Sequence, residues 1–171
     1  MAARARIEKM AATGVDVAGQ GDVLAVVRKE LAKAIGLDPS NAQAWSDMAY
    51  ADSLLALVDP RRTVELGAKV ESEAARAVAL CPVIAEFWIR RGTGCDMQRR
   101  WVDGGACFVQ ALQLAPGRAD VWYYQAYHLS LASTEIGPAM AASDYCLRLD
   151  PGFLLAQVLR QRLGAQLKQT P

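Results

Sequence analysis

Residues 85–118 read AEFWIRRGTGCDMQRRWVDGGACFVQALQLAPGR. Phe87, Trp88, Arg91, Gly92 and Cys95 recur at helical spacing in the first half, and Phe108, Ala111 and Leu114 do so in the second. Spacings of three and four belong to a helix packed on one face, so the stretch reads as two amphipathic helices. Pro116 ends the second: it lacks an N–H and disfavours helix at the residue before it. Gly92 and Gly104 lower helix propensity. Small residues at facing positions let two helix backbones approach, which is the expected compensation. Val102-Asp103-Gly104-Gly105 looks locally like a turn, but the register of the whole stretch places it inside a helix.

The same ending occurs four times. Ile35-Gly36-Leu37-Asp38-Pro39, Ala79-Leu80-Cys81-Pro82, Gln113-Leu114-Ala115-Pro116 and Arg148-Leu149-Asp150-Pro151 place their prolines 43, 34 and 35 residues apart. Trp45, Trp88 and Trp122 each follow one of these prolines by six residues. A fixed period of this length is the signature of a repeat architecture. A single hairpin cannot bury its apolar face, so stacked copies are required.

A 34-residue unit with an early Trp, small residues inside and Leu-x-Pro at its end resembles the tetratricopeptide (TPR) repeat. In the copy from Ala85, the family positions are matched by Trp88, Gly92, Gly104, Phe108, Ala111, Leu114 and Pro116. The copy from Ala119 keeps Trp122, Ala126, Ala139, Leu149 and Pro151, but has Ser143 and Cys146 where the family has Phe and Ala. The copy from Ala42 keeps Trp45, Met48, Ala49, Ala77, Leu80 and Pro82 with nine extra residues. The first copy keeps Leu31, Ala34, Leu37 and Pro39. The resemblance implies an all-α fold: a right-handed superhelical α-solenoid of about four hairpins (3–41, 42–84, 85–118 and 119–153). A capping helix over 154–168 completes a single domain spanning 1–171.

Helices are expected over 3–18, 22–37, 41–58, 60–80, 83–98, 100–115, 118–133, 136–149 and 152–168, and no strand. Asp22 and Asn41 are candidate N-caps, and Asp59-Pro60 reads as N-cap and N1 proline. The nine extra residues fall between Asp52 and Val70, so both helices of that hairpin should run long and project beyond the stack. They form either a drifted loop or a protrusion that touches a partner.

Several function classes are excluded by composition. Lys and Arg number 19 against 18 Asp and Glu, too even a balance for a nucleic-acid stripe. Apolar residues at 53% suit a folded core rather than a disordered chain. No apolar run reaches the roughly 20 residues that span a bilayer, so direct membrane insertion is not expected. Met1–Met10 carries Arg4, Arg6 and Lys9 with no apolar region behind them, unlike a secretory signal.

Cys81, Cys95, Cys107 and Cys146 form no CxxC pair, and the lone His128 completes no zinc pattern. No metal or cofactor is expected. Each cysteine sits where a helix would bury a small apolar group, which favours reduced thiols and a cytoplasmic setting. His128 could serve acid–base chemistry with Asp120 or Asp144 as partner. A structural role is the stronger reading, because no GxSxG accompanies it. Arg91-Gly92-Thr93-Gly94 lacks the GxxxxGK[ST] of a phosphate loop. Arg61-Arg62, Arg90-Arg91 and Arg99-Arg100 read as solvated pairs. No catalytic residue is therefore assigned.

The TPR resemblance implies a groove along the first helices of the hairpins. Its family positions fall on Gln43, Ser46, Tyr50, Ser53 and Leu54 in one copy. The next two offer Glu86, Ile89, Thr93, Asp96 and Met97, then Asp120, Tyr123, Tyr127, Ser130 and Leu131. This surface is aromatic, polar and slightly acidic, suited to gripping an extended peptide or a sugar; Tyr123 and Tyr127 could equally pack on the next helix. The family's carboxylate-gripping Lys, Arg and Asn positions hold Ser46, Tyr50, Asp47, Arg90 and Asp120 instead, which argues against a chaperone-tail adaptor. The expected function is a non-catalytic interaction scaffold, with a homodimer filling the groove as a further partner class. Glu86–Gly92 and Trp122-Tyr123-Tyr124 are also similar in style to the TPR tails of bacterial O-antigen ligases and polymerases. That similarity implies an accessory domain beside a membrane, periplasmic in that case.

Overall fold

The structure is a computed structural model, and it describes residues 21–168. The helix expected over 3–18 lies outside these residues. Eight α-helices follow in order among them, with no strand: α1 (Gly21–Leu37), α2 (Ala42–Val58), α3 (Thr63–Leu80), α4 (Ala85–Met97), α5 (Trp101–Leu114), α6 (Ala119–Ala132), α7 (Ile136–Leu149) and α8 (Leu154–Leu167). A 3₁₀ turn, Pro60–Arg62, links α2 to α3. None of the described helices is long and apolar enough to cross a membrane.

Each helix packs on its sequence neighbours, and α2, α4, α6 and α8 also touch one another in succession. This closer spacing puts them on the inner side of an α-solenoid, with α1, α3, α5 and α7 behind. The core is correspondingly strung out as patches. Leu24, Val27, Leu31, Met48 and Leu54 join α1 to α2; Ile89, Phe108, Ala111 and Val121 join α4, α5 and α6; Ala126, Ala139, Leu159 and Leu163 join α6, α7 and α8. Stability resides in interfaces between neighbours, as expected of stacked hairpins.

The six-residue interval between Pro and Trp has a direct cause. The indole N–H of Trp45 donates to the Pro39 carbonyl at 3.0 Å, that of Trp88 to Pro82 at 2.7 Å, and that of Trp122 to Pro116 at 2.8 Å. Each indole thereby latches the start of an inner helix to the turn before it. Gln157 Nε2 makes the same bond to the Pro151 carbonyl at 2.7 Å. α8 therefore begins like the first helix of a further hairpin. Leu154, Leu155 and Val158 on this helix are exposed at 67, 54 and 57%.

Asn41 caps α2 by accepting from the Ala44 N–H at 3.0 Å, and Asp59 caps the 3₁₀ turn by accepting from the Arg61 N–H. Asp22 lies in the first described turn of α1. The long hairpin is observed: α2 and α3 have 17 and 18 residues against 13 and 14 in α4 and α5.

Glycine sets the spacing of α3 and α4. An added Cβ at Gly94 would lie 2.5 Å from the Glu71 backbone N, and one at Gly67 would lie 2.7 Å from Met97 Cβ. Gly92 faces the Phe108 ring, where a Cβ would stand 2.8 Å away. The Arg91–Gly94 run is thus a packing seam rather than a phosphate loop.

Candidate functional site

The inner helices converge on a line of aromatic and charged side chains. Arg90 on α4 is only 9% exposed, with its guanidinium carbon 3.6 Å from the centre of the Tyr50 ring. It donates to the Tyr124 hydroxyl at 3.3 Å and meets Glu86 at 3.5 Å. Burial works against its charge, but Tyr124, Tyr50 and Glu86 more than offset this and raise its pKa. Arg90 is therefore not the solvated cation its Arg-Arg pair suggested. It ties α2, α4 and α6 together.

Next along the wall, Tyr123 packs against Tyr127 and, at 5.3 Å between ring centres, against Phe153. Burial pushes the Tyr123 hydroxyl pKa up. Tyr123 thus serves the α6–α8 contact, while Tyr127 remains 40% exposed.

The expected groove residues divide accordingly. Tyr50, Glu86, Thr93, Met97, Asp120 and Tyr123 are half-buried, and Tyr127 is exposed. Gln43 is half-buried and donates to Asp47 at 2.8 Å. Asp120 accepts from Arg118 at 3.0 Å. Ser46 and Ile89 are corrections: at 0 and 1% exposure they are covered by neighbouring helices and cannot face a ligand. Ser53 donates to the Tyr50 carbonyl, and Leu54 is buried in the α1–α2 core.

Asp96 lies on the inner face, where it also lines a cavity. It is 8% exposed, and its two oxygens lie 2.9 and 3.0 Å from His128 Nδ1. The contact joins two successive hairpins. Burial raises the Asp96 pKa, with the His128 hydrogen bond working the other way. His128 Nε2 faces Gly105, where an added Cβ would be 3.1 Å away. The partners considered from sequence are engaged elsewhere, Asp120 with Arg118 and Asp144 with Arg160.

Beside this pair lies a cavity of ≈250 Å³. Thr93 and Met97 of α4 and Tyr127 and Leu131 of α6 line it, with Trp101 at the start of α5 and Thr63 at the start of α3. Trp101 and Thr63 were missed in sequence because they open the outer helices α5 and α3 rather than occupying inner-helix positions. Thr63 arrives through the long hairpin, so part of the nine-residue insertion becomes a wall of the cavity. Arg99 stands at its edge, exposed, with φ at 59° in the left-handed region. Arg99 N–H donates to the Asp96 carbonyl and Arg100 N–H to that of Cys95, both at 2.9 Å. This pattern closes a helix end and ordinarily uses Gly at the left-handed position.

No family model matches the chain, and no curated protein matches it in sequence. Solved structures do. TTC0263, a thermophilic TPR protein of Thermus thermophilus, superposes with a TM-score of 0.70 at 18% identity, over 94% of this chain and 87% of that one. The fold is that of the TPR proteins. Two MamA structures agree, with TM-scores of 0.60 and 0.58 at 16% identity; they cover 90 and 95% of this chain and are themselves covered to 92 and 84%. The similarity to O-antigen ligase and polymerase tails finds no support in these comparisons.

Within the TPR fold, Gln157 occupies the place of Trp122, one hairpin on. Leu155 and Val158 then correspond to Asp120 and Tyr123, so α8 extends the inner wall with exposed apolar groups. The sequence reading stopped the wall at α6, since the Trp that would have marked the next unit is a Gln.

Proposed function

We propose that this chain is a non-catalytic scaffold that binds a protein segment on its inner face, seating one large apolar side chain in the cavity between α4 and α6. The observation that carries the reading is that cavity together with its mouth, where Tyr127 and Leu131 are 40 and 42% exposed, while Ser46, Ile89 and Arg90 on the earlier inner helices are buried. Small-molecule sites commonly occupy about 300–1,000 Å³, so ≈250 Å³ suits a side chain better than a cofactor. Arg99 at the edge favours a carboxylate next to the anchoring residue. The buried Asp96–His128 pair supports structure rather than turnover, because the imidazole is enclosed by Phe108 and Gly105.

The test is display of random peptides against the full chain. Enriched peptides should share a large apolar residue with an acidic neighbour. Replacing Tyr127 and Leu131 together by Ala should weaken their binding at least tenfold with helicity unchanged, and Arg99→Glu should select against the acidic neighbour. Equal binding by the Tyr127/Leu131 variant would remove the cavity from the account. Concentration-dependent mass in solution that disappears in the same variant would make the occupant a second copy of the chain.

A further inference from the structure

A second cavity, ≈350 Å³, opens on the opposite side of the stack. Glu71 of α3 and Asp103 and Cys107 of α5 form its walls, Arg91 and Cys95 of α4 its floor, and Arg100 its edge. Its mouth is at the surface, since the Arg100 and Asp103 side chains are 45 and 53% exposed. Two thiols on different helices, 1 and 5% exposed, therefore line one cavity that the proposed binding face does not use.

The surroundings of these thiols differ from those of the other two. A hydrogen bond from Cys95 and the nearby charge of Arg91 hold the Cys107 thiol below its ordinary pKa, against burial, Glu71 and Asp103. The same hydrogen bond, with burial and Glu71, drives Cys95 up. Arg100 is committed to Glu71 and Asp103. Arg91 keeps a buried Nε with no hydrogen-bond partner among the described residues. Cys146 is buried and its pKa is pushed up to about 11, while Cys81 lies half-buried at the end of α3. Gly92 and Gly104 bring α4 and α5 close enough that a Cβ at Gly104 would stand 3.4 Å from the Gly92 carbonyl oxygen.

We propose that Cys95 and Cys107 form a peroxide-reactive thiol pair, with Cys107 as nucleophile and Cys95 as resolving thiol. The Cys107 thiolate attacks one oxygen of hydrogen peroxide; the O–O bond breaks, an S–O bond forms, and the hydroxide released takes up a proton. Sulfur loses two electrons and the peroxide gains them. Cys95 sulfur then attacks the Cys107 sulfenic acid; the S–S bond forms, the S–O bond breaks, and the Cys95 proton leaves with the oxygen as water. In sum, two thiols and one peroxide give a disulfide and two waters. Reactivity follows thiolate character and access, and an adjacent thiol diverts the sulfenic acid to a disulfide.

The experiment treats the full chain with hydrogen peroxide, quenches it, alkylates under denaturing conditions and maps the peptides by mass. The Cys95–Cys107 disulfide should form at least about tenfold faster than Cys81 is oxidised, as expected for an activated thiol against an ordinary one. Cys81 provides the reference within the same molecule, so this reading needs no variant. Cys95→Ser should accumulate a dimedone-trappable sulfenic acid on Cys107, and Cys107→Ser should leave Cys95 reduced. Arg91→Gln should slow the first step without loss of helicity. Oxidation of Cys81 while both cavity thiols remain alkylatable would overturn the proposal. So would a Cys107 sulfenic acid in the unaltered chain that Cys95 never converts to a disulfide.

Discussion

Replacing Gly94 by Ala sets two known effects against each other. In a helix interior this change ordinarily stabilises by about 1 kcal/mol. Here the new Cβ would meet Glu71 backbone N at 2.5 Å, Cα at 2.8 Å and Cβ at 3.0 Å. Comfortable contact begins near about 3.5 Å, so α3 and α4 must separate by roughly 1 Å or slide. Two of the three obstructing atoms are backbone, so no rotamer change removes the clash. Overpacking of this kind costs about 1–3 kcal/mol, and more where backbone must move. The separation would also stretch the 2.9 Å bond from Gln98 to Glu71 and the contact of Met97 with Gly67. The net expectation is a loss of about 1–2 kcal/mol, or roughly 2–8 °C in melting temperature for a chain this size. Gly164→Ala in α8 is the control, because its Cβ meets only Arg160 Nη1 at 3.6 Å; its melting temperature should rise. Thermal unfolding followed by circular dichroism measures both. A Gly94→Ala protein that melts at or above the wild type would refute the claim that glycine sets the α3–α4 spacing.

Other expectations follow from single contacts. Arg99→Gly should stabilise by about 1 kcal/mol, since the left-handed position costs a side chain roughly that much; urea unfolding with a lower midpoint would contradict it. Trp122→Phe keeps the ring but loses the 2.8 Å bond to the Pro116 carbonyl, and should cost about 0.5–1.5 kcal/mol by the same assay. Glu73 is held to a pKa of about 8, first by burial and then by Asp52, with Arg28 and Lys69 acting the other way. That pKa lies above the ordinary 4.5, so the folded chain keeps a proton the unfolded chain has lost. The associated stability is complete below pH 4.5 and is lost as pH rises through about 8. Melting temperature across that window should fall less in Glu73→Gln than in the wild type; parallel curves would show that Glu73 is already ionised.

The architecture was legible because its markers are also its fasteners. The Pro–Trp interval of six is enforced by one hydrogen bond from indole to carbonyl, so any sequence using that latch must display the interval. Where Gln157 replaces the indole the bond persists and the marker vanishes, so the sequence shows no fourth Pro–Trp interval at α8. The site was less legible for two physical reasons. Ser46 and Ile89 occupy groove positions by register, yet burial depends on how closely the next hairpin leans over them. Asp96 and His128 meet across 32 positions of sequence, a distance fixed by stacking rather than by any local pattern. Trp101 and Thr63 enter the cavity from the first residues of the outer helices α5 and α3, outside the inner-helix positions that the repeat register marks.

Magnitudes constrain what the inner face can hold. Burying one large apolar side chain contributes about 1.5–3 kcal/mol, whereas micromolar binding requires about 8. The cavity alone therefore anchors a partner without retaining it. A charge contact at Arg99 adds little, because exposed ion pairs are worth about 0–1 kcal/mol. The deficit has to come from further apolar area. The inner wall leaves such area open at Leu155 and Val158 of α8, whereas Arg90, Tyr50 and Tyr124 close it toward α2. A partner that reaches useful affinity must therefore run from the cavity across α6 toward α8, not toward the first hairpins. Leu155→Ser with Val158→Ser should then weaken binding of the displayed peptides while leaving their preferred anchor residue unchanged. A variant at Gln43 on the closed half should leave affinity where it was, and a loss there equal to that at α8 would reverse the direction argued here.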